Sequence, residues 1–312
     1  MYRVLSLFFI VFPSLVAANT CAVNDDEKVS CNTDQAIDQS TCLNIGCCWA
    51  PVPFNEGVPH CYKSGVSASG YELAYLTANQ NGFSGQLTFL GNDVAVSTYG
   101  PSLQTLSLEV VALSASSVEI KIADATQTRW EIPESIIPRP TPTGNLASAG
   151  FQFVYTSSPF SFQIVRSEDQ QVVFDFQSTN FLFKDQYIEF ETISNNVNST
   201  IFGLGESTRL AQAWPVPSLI TLWAADEPAH NFNTNLYGSY PVYFQLLPNG
   251  RANGAVLFNS NGMDVTLLEN AINYKVIGGV VDLVVFIGPT PADALAQYTA
   301  FVGRPAMVRM SR

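Results

Sequence analysis

The chain has 312 residues, of which 47% are hydrophobic and only 13% charged, and its net charge is −12. This acidity excludes a nucleic-acid binder that works by neutralising phosphates and argues against adsorption to anionic lipid. Two histidines are too few for a histidine-rich metal site, whereas 18 Pro, 20 Gly, 21 Phe, 12 Tyr and 4 Trp with so little charge describe a β-rich folded protein.

Residues 1–18 read as a secretory signal peptide. Arg3 supplies the positive start, Val4 to Val16 the apolar stretch, and Val16-Ala17-Ala18 the small residues before a cut at Asn19. The run is shorter than the ~20 residues of a membrane-spanning helix. Further on, the apolar run from Val276 to Ile287 is interrupted by Gly278, Gly279 and Asp282, so no transmembrane segment is predicted. The expected location is secreted and extracellular, an oxidising environment, with a lysosome- or vacuole-like compartment as the alternative. Asn198-Ser199-Thr200 is then a usable N-glycosylation sequon.

All six cysteines fall within residues 21–61: Cys21, Cys31, Cys42, Cys47, Cys48 and Cys61. An even number in so short a secreted stretch predicts a disulfide-stapled minidomain, because such a segment cannot bury enough surface to fold on a core alone. Zinc fits poorly: there is no Cys-x-x-Cys pair, and adjacent Cys47 and Cys48 cannot easily serve one tetrahedral ion. The spacing alone leaves the pairing open.

From Ser64 onward, short runs of β-branched and aromatic residues recur between turn signals. Thr105–Val111 and Val118–Ile122 alternate cleanly. Phe151–Tyr155, Phe160–Val165, Gln171–Phe176, Val242–Leu246, Ala255–Phe258, Asp264–Leu268 and Val280–Ile287 follow. Short strands without intervening helices predict an antiparallel sandwich. One helix is predicted over Thr290–Gly303, with Pro291 early and Gly303 at its close. Pro-rich Ile137–Pro142 reads as a loop.

Several catalytic templates are missing. There is no Gly-x-Ser-x-Gly elbow, no cysteine outside the minidomain to act as nucleophile, and no phosphate-binding glycine loop. Phe202-Gly203-Leu204-Gly205-Glu206 lacks the lysine and third glycine of such a loop and is read as a turn. No metal or cofactor is predicted. Asp25-Asp26-Glu27 and Glu168-Asp169 are read as solvated turns, Asn259 and Asn261 as shaping a turn, and His230 as without a role.

Two resemblances sharpen this reading. The cysteine gaps of nine, ten, four, zero and twelve residues around Gly46-Cys47-Cys48-Trp49 closely resemble the trefoil (P-type) domain. That resemblance implies the pairs Cys21–Cys48, Cys31–Cys47 and Cys42–Cys61. Trefoils usually carry Arg before the second cysteine, where this chain has Lys28, which keeps the charge but not the bidentate fork. Trp49 and Tyr62 are candidate sugar platforms, although Trp49 is read rather as packing over the disulfides.

The second resemblance is to the amino-terminal part of secreted family-31 glycoside hydrolases, the α-glucosidase group of maltase-glucoamylase and sucrase-isomaltase type. Seven blocks carry it in order. They are Asn81-Gly82-Phe83 with Arg129-Trp130-Glu131-Ile132-Pro133, Pro159 to Ile164 with Val173-Phe174-Asp175, Ile201 to Glu206, Leu222 to Asp226 with Asn235 to Pro241, Leu257 to Val265, and Tyr274 to Gly279 leading to Gly303-Arg304-Pro305, all preceded by the trefoil pattern. The family implies a trefoil at 19–64, a galactose mutarotase-like β-sandwich at 65–303, and a (β/α)8 barrel that would open over 304–312 and carry both catalytic aspartates. Those aspartates are expected to be absent here, so no catalytic residue is assigned. The substrate class implied is an α-glucoside oligosaccharide or glycan. The family places a sugar-contacting aspartate on a sandwich loop, and that position falls on Asp226. Tyr237 and Tyr240 are read as packing the strand beside it. Sandwich surface left without a barrel would favour self-association. The alternative is a secreted carbohydrate-binding trefoil and sandwich module without hydrolase activity.

Overall fold

The computed structural model describes residues 21, 30–31, 38–44, 47–51, 59–62, 70–91, 99–193, 199–209, 212–228, 230, 234–304 and 306–307. The predicted signal peptide, the Asp25-Asp26-Glu27 turn, Lys28 and the sequon asparagine Asn198 lie outside the described residues. The chain divides into two compact units, residues 1–68 and 69–312.

In the first unit, a short helix α1 (Gln39–Asn44) precedes two-residue strands β1 (Cys48–Trp49) and β2 (Cys61–Tyr62), which pair antiparallel. Disulfides join Cys21 to Cys48, Cys31 to Cys47 and Cys42 to Cys61. Cys42, Cys47 and Cys61 form the small core, and Trp49 packs against it, edge-on to His60. Tyr62 is 2% exposed and donates its hydroxyl to the Cys21 carbonyl, so it offers no free ring face to a sugar. Its candidacy as a platform is corrected: a ring beside three disulfides serves as filling.

The second unit is mainly β. Its first strands are β3 (Tyr71–Ala78), β4 (Gly82–Phe89), β5 (Thr105–Ser114), β6 (Ser117–Asp124), β7 (Phe151–Ser157), β8 (Phe160–Arg166), β9 (Val172–Phe183) and β10 (Ile188–Ile193). They are followed by β11 (Thr200–Gly205), β12 (Ser218–Leu222), β13 (Tyr240–Leu246), β14 (Ala252–Leu257), β15 (Met263–Leu267), β16 (Ala271–Val276) and β17 (Val281–Phe286). Two antiparallel sheets result. The order is β12-β15-β16-β10-β9-β8-β7 in one and β11-β13-β14-β17-β6-β5-β4-β3 in the other.

The alternation of β5 and β6 sends Leu106, Leu108 and Val110, with Val118, Ile120 and Ile122, into the main core, where all are fully buried. The facing sheet contributes a ladder of rings. Phe162 stacks on Phe176 at 4.9 Å, Phe176 on Phe190 at 5.6 Å, and Phe190 on Tyr274 at 4.8 Å, one from each of four neighbouring strands. Rings of this size supply most of a sandwich core's apolar area.

Helix α2 (Pro291–Val302) covers a second, smaller core on the outer face of the eight-stranded sheet, made of Val242, Val256, Phe258, Val284, Phe286, Leu113 and Phe301. Thr290 caps the helix. Its hydroxyl accepts from the Asp293 amide while the Asp293 carboxylate accepts from the Thr290 amide, a reciprocal capping box.

The structure corrects one further sequence expectation. The Ile201 to Glu206 segment is largely strand, not turn: β11 pairs with β13, with a register shift between Gly203 and Gly205. Gly203 has φ +97°, and a Cβ there would come within 2.4 Å of the Val242 carbonyl, so the glycine serves a bulge and a close backbone approach. Glu168 and Asp169 lie exposed in a turn, as expected, and also carry ion pairs. Asp169 pairs with Arg166 at 2.9 Å and Arg251 at 3.0 Å, and Glu168 pairs with Arg251 at 2.7 Å. Arg166 is 2% exposed and also donates to the carbonyls of Ile287 and Ala252, which is why a buried cation is tolerated.

Candidate functional site

Asp226 sits on the connection between β12 and β13, with residues 229 and 231–233 outside the described set. The connection leaves β12 at Leu222, whose register partner is Met263, and returns to β13 at Tyr240. Glu206, just after β11, laces the return. Its amide donates to the Gly238 carbonyl at 2.8 Å, its carbonyl accepts from the Leu236 amide at 3.0 Å, and its carboxylate accepts from the Gly238 amide at 3.0 Å. Asn235 adds side-chain bonds to the carbonyls of Glu206 and Gly238 and accepts from the Ser239 hydroxyl. The Ala225 amide donates to the Leu236 carbonyl at 3.1 Å, which draws the outgoing arm to the returning one beside Asp226.

On this laced base Asp226 is exposed, with Tyr237 as its neighbour. Interaction with the Asp226 carboxylate raises the Tyr237 pKa above the usual phenol value, with burial a smaller contribution. Tyr237 is 63% exposed, whereas Tyr240, 51% exposed, lays its ring over the backbone of Gly238 beside β11 and β13, as expected of a strand-packing residue.

Trp223 precedes Asp226 by three residues and is 59% exposed. A Cβ on Gly262 would come within 2.3 Å of its ring, so the indole lies directly on the glycine backbone. Asn259 donates to the carbonyls of Gly278 and Val280 and accepts from the Asn261 amide, which shapes the turn that carries Gly262. On the other side of that turn, Trp130 donates its indole N–H to the Ser260 hydroxyl at 2.8 Å. His230 is exposed in the same connection.

Beneath the connection lies a cavity of about 20 Å3, lined by Leu204, Glu206, Trp214, Ile220, Leu222 and Thr234 among others. It has room for about one water and none for a sugar ring. Exposed carboxylate, phenol and indole groups of this kind can accept hydroxyls and stack on a ring. The sulfurs of Cys31, Cys47 and Cys61 lie within 4.8 Å of one another, but all three are in disulfides and offer no thiolate to a metal.

Sequence reasoning placed Asp226 by resemblance and missed its partner Tyr237 and the lacing role of Glu206. Both lie in the quoted blocks, but pairing across the connection is not readable from spacing.

Residues 21–64 match the trefoil (P-type) domain family. A probable α-glucosidase of Oryza sativa is 35% identical over 257 residues, covering 76% of this chain and 29% of the relative. Alpha-xylosidase 1 of Arabidopsis thaliana is 33% identical over 297 residues, covering 89% and 31%. The chain thus spans less than a third of the length of either relative. A solved GH31 dextranase of Flavobacterium johnsoniae superposes with a TM-score of 0.56 over 77% of this chain and 29% of its own, at 16% identity, a likeness of fold. The chain is a trefoil domain followed by a β-sandwich, related to the amino-terminal region of the family-31 glycoside hydrolases.

Proposed function

We propose that this chain is the non-catalytic amino-terminal portion of a secreted α-glucosidase-type protein, with the trefoil at 19–64 and the sandwich at 65–303, and that Asp226 contacts the sugar. The observation that carries the reading is the exposed Asp226–Tyr237 pair on a connection laced by Glu206 and Asn235, in a chain whose relatives are named α-glucosidase and α-xylosidase. A carboxylate held this way accepts two adjacent sugar hydroxyls and so orients a glucoside without breaking a bond. Retaining hydrolysis needs a second carboxyl ~5–5.5 Å from the first, across the scissile bond. We assign no residue of this chain to that chemistry. Three disulfides, the signal-like start and the sequon at Asn198 support secretion.

The test is hydrolysis of maltose and p-nitrophenyl α-glucoside by the purified chain. No product is expected, and measurable turnover contradicts the reading. Self-association is expected from exposed apolar side chains such as Leu219, Trp223 and Ile277. Light scattering that shows a monomer at high concentration contradicts that part.

A second reading, a glycan-binding module without any hydrolase partner, is favoured by the exposed indole of Trp223 seated on Gly262. Retention of the chain on immobilised starch, lost in Trp223→Ala, is its expected result. Passage without retention removes it.

A further inference from the structure

Away from the Asp226 connection, the outer face of the eight-stranded sheet carries a buried cluster of charge. Asp282 on β17 and Lys121 on β6 are cross-strand partners, and Glu119 lies two residues along β6 on the same face. The stretch 131–139 is tied to this face twice. Lys121 pairs with Glu131, and Arg139 donates to Asp282 Oδ2 at 2.6 Å with its Nε 3.8 Å from Glu119 Oε1. Arg139 also lies over the rings of Phe258 at 4.2 Å and Phe301 at 5.8 Å, and Ile132 and Ile137 pack on the small core beside it.

The cluster holds three carboxyl groups, Asp282, Glu119 and Glu131, and two cations, Arg139 and Lys121. Fully ionised, it leaves one negative charge uncompensated in a buried place. Asp282 is 1% exposed. Its Oδ2 is bonded to Arg139, but its buried Oδ1 faces no donor, and Arg139 Nη1 has no acceptor. A proton on Asp282 removes the excess charge and gives the buried carboxyl, whose Oδ1 meets no donor, an O–H of its own on the face it shares with Glu119. The remaining titratable neighbour is Glu109 on β5, opposite Lys121 and exposed to solvent. The end of β14 and helix α2 face the cluster with Phe258 and Phe301.

We propose that Asp282 and Glu119 form a buried proton-binding site on this face, whose proton stabilises the folded sandwich and whose loss destabilises it. Burial first, and then the nearby Glu119 charge, push the Asp282 pKa from 3.8 up to about 8, against the pull of Arg139 and Lys121. The folded state therefore holds the proton more tightly than the unfolded chain. The stability this confers is full below the unfolded value of 3.8 and is lost as pH rises to about 8. The sandwich is thus built to be firmer in acid than at neutrality.

The test is urea unfolding across about pH 4.5 to 8.5 for the intact protein, Asp282→Asn and Glu119→Gln. The Asn amide is neutral throughout, accepts from Arg139 and donates to Glu119, so it mimics the protonated acid. Relative to Asp282→Asn, the unfolding constant of the intact protein is expected to climb by up to tenfold per pH unit between about pH 5 and 8. Glu119→Gln is expected to move that climb to lower pH. Equal pH slopes for the intact protein and Asp282→Asn overturn the proposal. Should Asp282→Asn not fold, the infrared carboxylic-acid band of the intact protein decides. The band is expected at about pH 6 and gone above about pH 9, and its absence at the lower pH overturns the proposal.

Discussion

Residues 21–62 hold three disulfides, a six-residue helix and two strands of two residues each, whereas residues 69–312 hold no cysteine and stack two sheets over a core of fully buried Phe, Leu, Ile and Val. The cross-links close loops of 27, 16 and 19 residues. In the chain-entropy view each such loop contributes ~2–4 kcal/mol by constraining the unfolded state. The sandwich has the opposite strategy: its stability rises with the apolar area its many strands remove from water. The contrast teaches where function can sit. A unit stapled by bridges uses Tyr62 as filling among its disulfides. A large sandwich can leave Trp223, Tyr237 and Tyr240 exposed at its edge without loss.

The sharpest way to break this comparison is reduction. With reductant and alkylation the cysteine unit is expected to lose its fold outright, read as loss of amide-exchange protection over residues 38–62. Residues 105–124 in β5 and β6 are expected to keep theirs. Loss in both regions would show that the sandwich leans on the bridges. Next in size, Phe176→Ala, which removes the centre of the ring ladder, is expected to cost ~3–5 kcal/mol in the sandwich transition, with the cysteine unit unchanged. Arg166→Ala leaves the carbonyls of Ile287 and Ala252 and the Asp169 carboxylate short of a donor. A loss of ~1–3 kcal/mol is expected by urea denaturation. Thr290→Ala breaks the capping box of α2 at a cost of ~1 kcal/mol. Smallest of all, Tyr237→Phe is expected to change stability by less than ~0.5 kcal/mol. A larger loss would mean that this exposed ring is structural after all.

The legibility of the fold followed the periodicity. β5 and β6 alternate and were readable, and the helix was readable from Pro291 and Gly303. β3 buries little beyond Tyr71 and lies at a sheet edge, so no alternation betrays it. β12 is short, with only Ile220 and Leu222 buried. β14 and β17 are buried along their whole length, a pattern that marks apolar strands but hides which face does what. The bulge in β11 disguised a strand as a turn, because the two glycines that permit it are also turn residues.

The site was legible in part. Asp226 came through resemblance, whereas nothing in its own spacing singles out one exposed aspartate beside Glu227. The Asp282 cluster shows the general limit. A lone aspartate between Val281 and Leu283 reads as a buried charge, but its partners Arg139 and Glu119 lie more than a hundred residues away in sequence, so only the folded sheet brings them together.

The most direct test of the function proposed is titration of maltotriose into the purified chain, followed by tryptophan fluorescence and by product release in the same sample. The account predicts a saturable change in fluorescence from Trp223, weak and in the millimolar range, that disappears in Asp226→Asn with no glucose released by either protein. Release of glucose, or a response identical in Asp226→Asn, would contradict it.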